Sequence, residues 1–477
     1  MSELFKLVEA TLPGAADFLK RNAPLTLSEL SRKLNLKGKR PSEILIKSCA
    51  RQARLHYGSD AALAITELLS SGGPVLSANH HGLDSHPEMV QGRFIFALDG
   101  LFEAATEPII VLACSTIPLS NPTLPGAIMV GRRTASGRHP AVRLFPRSLD
   151  HLMVSRAPNV SGPMAKEFIK RIKNSDFLKP LEKQAAISLA EGSMLSSKFL
   201  SRESFLSQAA LLNSEIWKSL FTSSPRPLIE LELEKLTIDC LASDLALSDS
   251  PLARALTEPD IVKSLLPALA GVRGAWSASL LGQLAPPNAP MWRSTGTVFF
   301  WGVKNGRFFP MRIELVKNSI YLSGAGFNIP LAPEPLVTAL SEGHLAPNLF
   351  VDYLVLAVHG LTAHGGVFMI DYLPALLEPA AHILEIKLET APPLLAAGLL
   401  PLSAPDEPLS PLGLLEWLSF GPRPPELARL LGDTTIESLT PFSLGEWYQE
   451  EFPTSRRASS WRGPVAPPPL TLSSNKT

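Results

Sequence analysis

Within the nine residues 80–88, His80, His81, Asp84, His86 and Glu88 place three imidazoles and two carboxylates in one polar loop. Such groups take up protons, bind metal ions or fix one another by hydrogen bonds. No other stretch of the chain is as dense in reactive side chains. Acyl transfer from a thioester to a hydroxyl or amine needs a histidine to remove the acceptor's proton, and a carboxylate to hold the imidazole tautomer. The run His80-His81-Gly82-Leu83-Asp84 supplies that pair, His80 as base and Asp84 as orienter. The same side chains also read as a metal site. His80, His81, Asp84 and His86 are suitable ligands for a divalent ion that would generate hydroxide or polarise a carbonyl. A third reading leaves them as caps of a strand and a helix in a non-catalytic binding module.

The flanking elements must hold this loop. Pro74 to Ala78 is an apolar run that predicts a strand, and Pro87 opens a segment with Met89, Phe94, Ile95 and Leu98 at helical spacing. Pro108 to Cys114 predicts a second, buried strand, and GAIMVGRR at 126–133 a third with Arg132 and Arg133 at its exit. Strand, helix, strand is a βαβ order. Parallel strands place the loops at their carboxyl ends along one edge, so the loops after Ala78, Cys114 and Val130 are expected to line one crevice. Cys114 could act there as a nucleophile, although a buried strand-end residue is the expected reading.

The fold expected is α/β: a helical N-terminal lead, a βαβ-containing mixed sheet, an additional β-hairpin unit and C-terminal helices. Residues 1–72 form the lead-in, and 73–281 an α/β catalytic core with a helical insertion. In that insertion LIELELEKLTIDCLASDLAL, at 228–247, reads as helix with a leucine stripe. Residues 282–452 follow a Pro-rich boundary and complete or cap the site; an Asn305-Gly306 hairpin turn, a second turn at Lys317-Asn318, and the histidines His359 and His364 belong to this part. His364, among glycines, is a candidate substrate contact. Residues 453–477 have the composition of a disordered tail.

Composition removes several function classes. Of 477 residues 45% are apolar, Lys+Arg and Asp+Glu both number 44, and so no global field favours a nucleic acid. The three cysteines lack any CxxC spacing, which argues against a disulfide framework or a cysteine-based zinc site. There is no signal-like apolar core near the N-terminus and no transmembrane stretch, so a soluble cytoplasmic protein is expected. GxSxG, GxGxxG and P-loop patterns are absent.

Residues 73–193 resemble the glycerolipid (lysophosphatidic acid-type) acyltransferase family in three blocks: PVLSANH with Asp84, GAIMVGRR at 126–133, and LAEGS at 189–193. The chain has three residues between His80 and Asp84 where that family has four, and Met194 stands where it has arginine. The resemblance implies His80 as general base, Asp84 as its orienter, Arg132 or Arg133 as a phosphate contact, and Glu191 with Gly192 in the acceptor site. It implies an acyl-CoA or acyl-carrier thioester as donor and a small-molecule or lipid acceptor.

Overall fold

The computed structural model describes residues 12–102, 107–132, 139–247, 249–285, 296–317, 319–366, 369–387, 413–419 and 425–439, with a few isolated positions besides. The helical lead-in consists of α1 (Pro13–Asn22), α2 (Leu27–Leu34), α3 (Glu43–Tyr57) and α4 (Ser59–Ser70). Thr26 and Glu29 form a reciprocal capping box at the start of α2, and Ser42 caps α3. Then come β1 (Val75–His80), α5 (Pro87–Ala97), β2 (Ile109–Cys114), β3 (Ala127–Met129), β4 (Ala141–Arg143), α6 (Gly162–Lys173), α7 (Pro180–Leu189) and α8 (Phe205–Ser219). The next stretch holds β5 (Leu228–Glu232), α9 (Leu233–Asp244), α10 (Pro251–Thr257) and α11 (Pro259–Ala268).

A four-stranded, wholly parallel sheet organises these elements. Its order is β12-β1-β2-β5, where β12 is the two-residue strand Ala363–His364. The side chains of β2 alternate between two cores: Ile109 and Val111 join Leu76 and Leu228 on one face, while Ile110 and Leu112 join Val75, Ile229 and Leu231 on the other. The first face is covered by α1, α2 and α5 to α8, the second by α3, α4 and α9 to α11. A strand covered on both sides has no polar face to alternate with, hence the unbroken Ile-Ile-Val-Leu run. Each of these four side chains is fully buried and contributes about 1.5–3 kcal/mol on leaving water.

Along the chain, β1, β2 and β5 are laid down in one direction and β12 then returns to the far side of β1. The switch between directions therefore lies beside β1. In β1 three residue steps, Leu76 to Asn79, face two steps of β2, Val111 to Ala113, so the strand carries a bulge before its end.

Two expectations are corrected. The strand at Ala127–Met129 is not in the parallel sheet; β3 pairs antiparallel with β4. Leu228–Glu232, read as helix, is the third parallel strand, and the helix begins only at Leu233. The β-hairpin unit stands apart from the parallel sheet. Its strands β6 (Phe300–Lys304), β7 (Arg307–Pro310), β8 (Arg312–Val316), β9 (Ser319–Gly324), β10 (Phe327–Pro330) and β11 (Leu345–Pro347) make two small antiparallel sheets of their own, β8-β9-β10 and β11-β6-β7. Asn305 and Gly306 close the β6-β7 turn with φ of 54° and 71°, as a type I′ hairpin requires. The rest of the second face is covered by α12 (Pro333–Ser341), α13 (Leu349–Val358) and α14 (Met369–Leu384). On the first face α15 (Leu414–Ser419) packs against α7 and β3. Arg133, Asn318, most of the Pro-rich boundary and the 453–477 tail lie outside the described residues. Among the described residues no helix is long and apolar enough to cross a membrane.

Candidate active site at the carboxyl end of β1

His80 is the last residue of β1 and is half-buried, paired in register with Cys114 at the end of β2. Its Nδ1 lies 2.7 Å from Thr123 Oγ1, in the loop after β2. Thr123 donates its hydroxyl to Asn121 Oδ1 at 3.0 Å, and its backbone N–H reaches the same oxygen at 3.1 Å. Two donors converging on Oδ1 identify it as the carbonyl end of the amide. With the Thr123 proton so engaged, Oγ1 can only accept from His80. The proton of the neutral imidazole therefore sits on Nδ1, and Nε2 carries the lone pair. Burial pushes His80 down to about 4, against the opposing pull of the Glu234 charge and the Asn121 amide.

Glu234 lies in the first turn of α9 and gathers the loop after β2. It accepts hydrogen bonds from the backbone N–H groups of Ser115 and Thr116, from both their hydroxyls, and from Cys114 Sγ at 3.0 Å. Cys114 is thereby held as a thiol donor, its pKa raised well above the ordinary value by burial and by Glu234. This fits the strand-end reading and leaves no thiolate to attack a substrate. Beside Glu234, burial and the Glu234 charge raise Glu232 to about 7.

Asp84 faces elsewhere. Its carboxylate forms an ion pair with Arg93 of α5, and Arg93 also binds Glu230 of β5; all three are almost wholly buried. Asn213 of α8 completes this cluster, donating to Gly82 O and Glu230 Oε2 at 2.8 Å each and accepting from the Asp84 N–H. The position beside His80 Nδ1 that the sequence reading gives to Asp84 is filled by Thr123. One guanidinium between two carboxylates, tied to the loop backbone, fixes where the loop leaves β1. His81 is buried on this side, next to Glu230 and Arg93, and desolvation lowers its pKa.

The remaining candidates are placed as follows. His86 precedes α5 and its ring lies 5.3 Å from that of His139. Glu88, in the first turn of α5, has its carboxylate against Gly366, where a Cβ would come within 2.5 Å of Oε1. His364 is buried, paired with Leu76 and 6.0 Å from the Phe96 ring. It flanks the amino half of β1, on the order of 10 Å along the strand from His80. Arg132 directs its guanidinium to Glu182 and to Phe177 O. Glu191 and Gly192 are exposed, in a π-helical turn at Ala190–Met194, with Glu191 3.9 Å from Lys173. Among the described residues no group of three or more His, Cys, Asp and Glu side chains is disposed to hold a metal ion.

His359 joins the ends of three helices, α3, α9 and α13. Its Nδ1 lies 2.6 Å from Ser42 Oγ and its Nε2 2.9 Å from Asp244 Oδ2. These are the residue types of a hydrolytic triad. Both Ser42 and His359 are, however, helix caps, of α3 and α13, and Asp244 also accepts from Ser250; the arrangement is a clasp between helix ends.

Thr123, Asn121, Glu234 and Arg93 were missed by sequence reasoning. The Asn121-Pro122-Thr123 run carried a turn signal but no chemical one, and a lone arginine inside an apolar helix was the available hint of a buried carboxylate. Comparison of the chain with protein-family models gives no match, and comparison with curated proteins gives none; its function has to be argued from the geometry of the His80 site.

Proposed function

We propose that the protein is an acyltransferase in which His80 is the general base. The observation that carries this reading is the His80-Thr123-Asn121 chain, which leaves the Nε2 lone pair at the carboxyl end of a parallel strand, where α/β sheets place ligands. Nε2 takes the proton of an acceptor hydroxyl or amine as the acceptor's oxygen or nitrogen bonds to the thioester carbonyl carbon. The carbon–sulfur bond then breaks, and the departing sulfur receives the proton from Nε2, restoring the neutral imidazole. With a pKa near 4 the imidazole is unprotonated at neutral pH and ready to accept. The transient imidazolium is stabilised by the Glu234 charge, which acts from a neighbouring helix rather than from a carboxylate on Nδ1. Thr123 and Asn121 are positioning residues.

The donor class, an acyl-CoA or acyl-carrier thioester, and a small or lipid acceptor follow from the resemblance of residues 73–193. A panel of acyl thioesters, read by thiol release with and without hydroxyl and amine acceptors, tests the reaction. The His80→Ala variant is expected to lose at least about 10²-fold in rate while keeping the parent's unfolding midpoint. Undiminished thiol release in folded His80→Ala protein would overturn the assignment.

A further inference from the structure

We propose that the cavity between β4 and the carboxyl end of α6 binds a small phosphate or sulfate monoester with an apolar body. The cavity has a volume of about 430 Å³, within the range of small-molecule sites. Three arginines line it, Arg143, Arg147 and Arg171, together with Ser175. Two of the arginines are partly engaged. Arg143 pairs through Nη2 with Asp150, and Arg171 pairs with Glu167 through Nε and donates through Nη1 to Arg143 O and Leu144 O. Arg147 is exposed and has no acidic partner among the described residues, so the lining carries one more positive charge than its carboxylates offset.

Two polar groups point to a ligand independently of that charge. Ser175 is only 8% exposed and its Oγ has no hydrogen-bond partner; Arg143 Nε is likewise buried with none. Buried donors without acceptors are costly, and an oxoanion seated against them would accept from both. Guanidinium donors match a tetrahedral oxoanion in geometry as well as in charge. Val142, Phe145 and the exposed Phe177 also belong to the lining, which suits an organic substituent on the ester oxygen.

The site is separate from His80, and its test uses no catalytic readout, so either reading can fail without the other. The full-length chain is titrated calorimetrically with phenyl phosphate and with inorganic phosphate. Phenyl phosphate is expected to bind with a Kd of roughly 1 mM or tighter, inorganic phosphate more weakly, and both more weakly as salt is raised. Arg147→Ala and Ser175→Ala, which remove no contact that the fold uses, should each weaken phenyl phosphate about five- to tenfold. No binding of phenyl phosphate, or unchanged affinity in both variants, overturns the proposal. Equal affinity for inorganic phosphate overturns the apolar-body assignment. Capture of phosphatidic acid vesicles without any binding of phenyl phosphate overturns it in favour of a lipid headgroup surface.

Discussion

Arg93 holds Asp84 and Glu230 together in the core, so the carboxylate nearest in sequence to the tandem histidines is committed to a charge cluster. Removing Arg93 leaves two buried carboxylates facing one another, whereas removing the Asp84 charge leaves a one-to-one Arg93-Glu230 pair. Arg93→Leu is therefore expected to cost about 3–5 kcal/mol of stability and Asp84→Asn about 1–3 kcal/mol. Urea unfolding of the two variants checks the order; a more damaging Asp84→Asn would mean the cluster is held by something other than Arg93.

Thr123 is the acceptor that fixes the His80 tautomer. In Thr123→Val the imidazole loses its partner and Nε2 no longer holds the lone pair uniquely. The proposed acyl transfer should fall about 10²- to 10³-fold with little change in stability. Nitrogen-15 chemical shifts of His80 report the tautomer directly, and an unchanged Nδ1-protonated spectrum in Thr123→Val would dissociate the threonine from this role.

The dependence of stability on pH has two opposed contributions. His80 and His56 are lowered by burial to about 4 from an ordinary 6.5. Between those values the unfolded chain binds more protons, so their contribution is present above 6.5 and lost as pH falls towards 4. Glu232 and Glu416 are raised by burial to about 7 from 4.5. There the native state binds more protons, so their contribution is present below 4.5 and lost as pH rises through 7. The two slopes overlap between 4.5 and 6.5 and offset each other. Glu232→Gln removes one falling contribution, and its urea midpoint should rise with pH relative to the parent across that window; His80→Gln should do the reverse. Parallel profiles for all three proteins would contradict this.

Arg132 neutralises Glu182, which is 3% exposed. Arg132→Met removes the guanidinium from that buried carboxylate, leaving it the Lys179 backbone N–H, and should cost about 3–5 kcal/mol. If Arg132 instead held a substrate phosphate, the loss would appear in KM with stability unchanged, and comparing thermal unfolding with substrate titration separates the two.

The foundation of the site was legible because its elements obey single, strong patterns. Pro74 to Ala78 and Pro108 to Cys114 are short apolar runs bounded by turn residues, and Pro87 marks a helix start; that β1 runs on through Asn79 to His80, which the sequence places in the loop, was not legible. Leu228–Glu232 was obscured because its Leu-Ile-Glu-Leu-Glu alternation runs without a break into Leu233, where helical spacing takes over. The two-residue β12 is too short to leave a pattern; backbone pairing with Val75 and Leu76 alone defines it. Residues of the site were legible by type and not by partner. His80 announces itself, but its acceptor lies 43 positions away, and Glu230, which shares Arg93 with Asp84, lies 137 positions from that arginine. Such pairings are set by how the sheet stacks its strands and by no local spacing.

The bulge in β1 sets the phase of the two adjacent imidazoles. Because side chains alternate along a strand, one residue removed between Leu76 and Asn79 would rotate everything after it to the opposite face. His81 would then inherit the alignment with Cys114 that His80 now has, and His80 would turn towards Arg93 and Glu230. The doubled histidine makes this strand tolerant of a slip that would strip a single-histidine strand of its imidazole: what changes is which of the two meets Thr123.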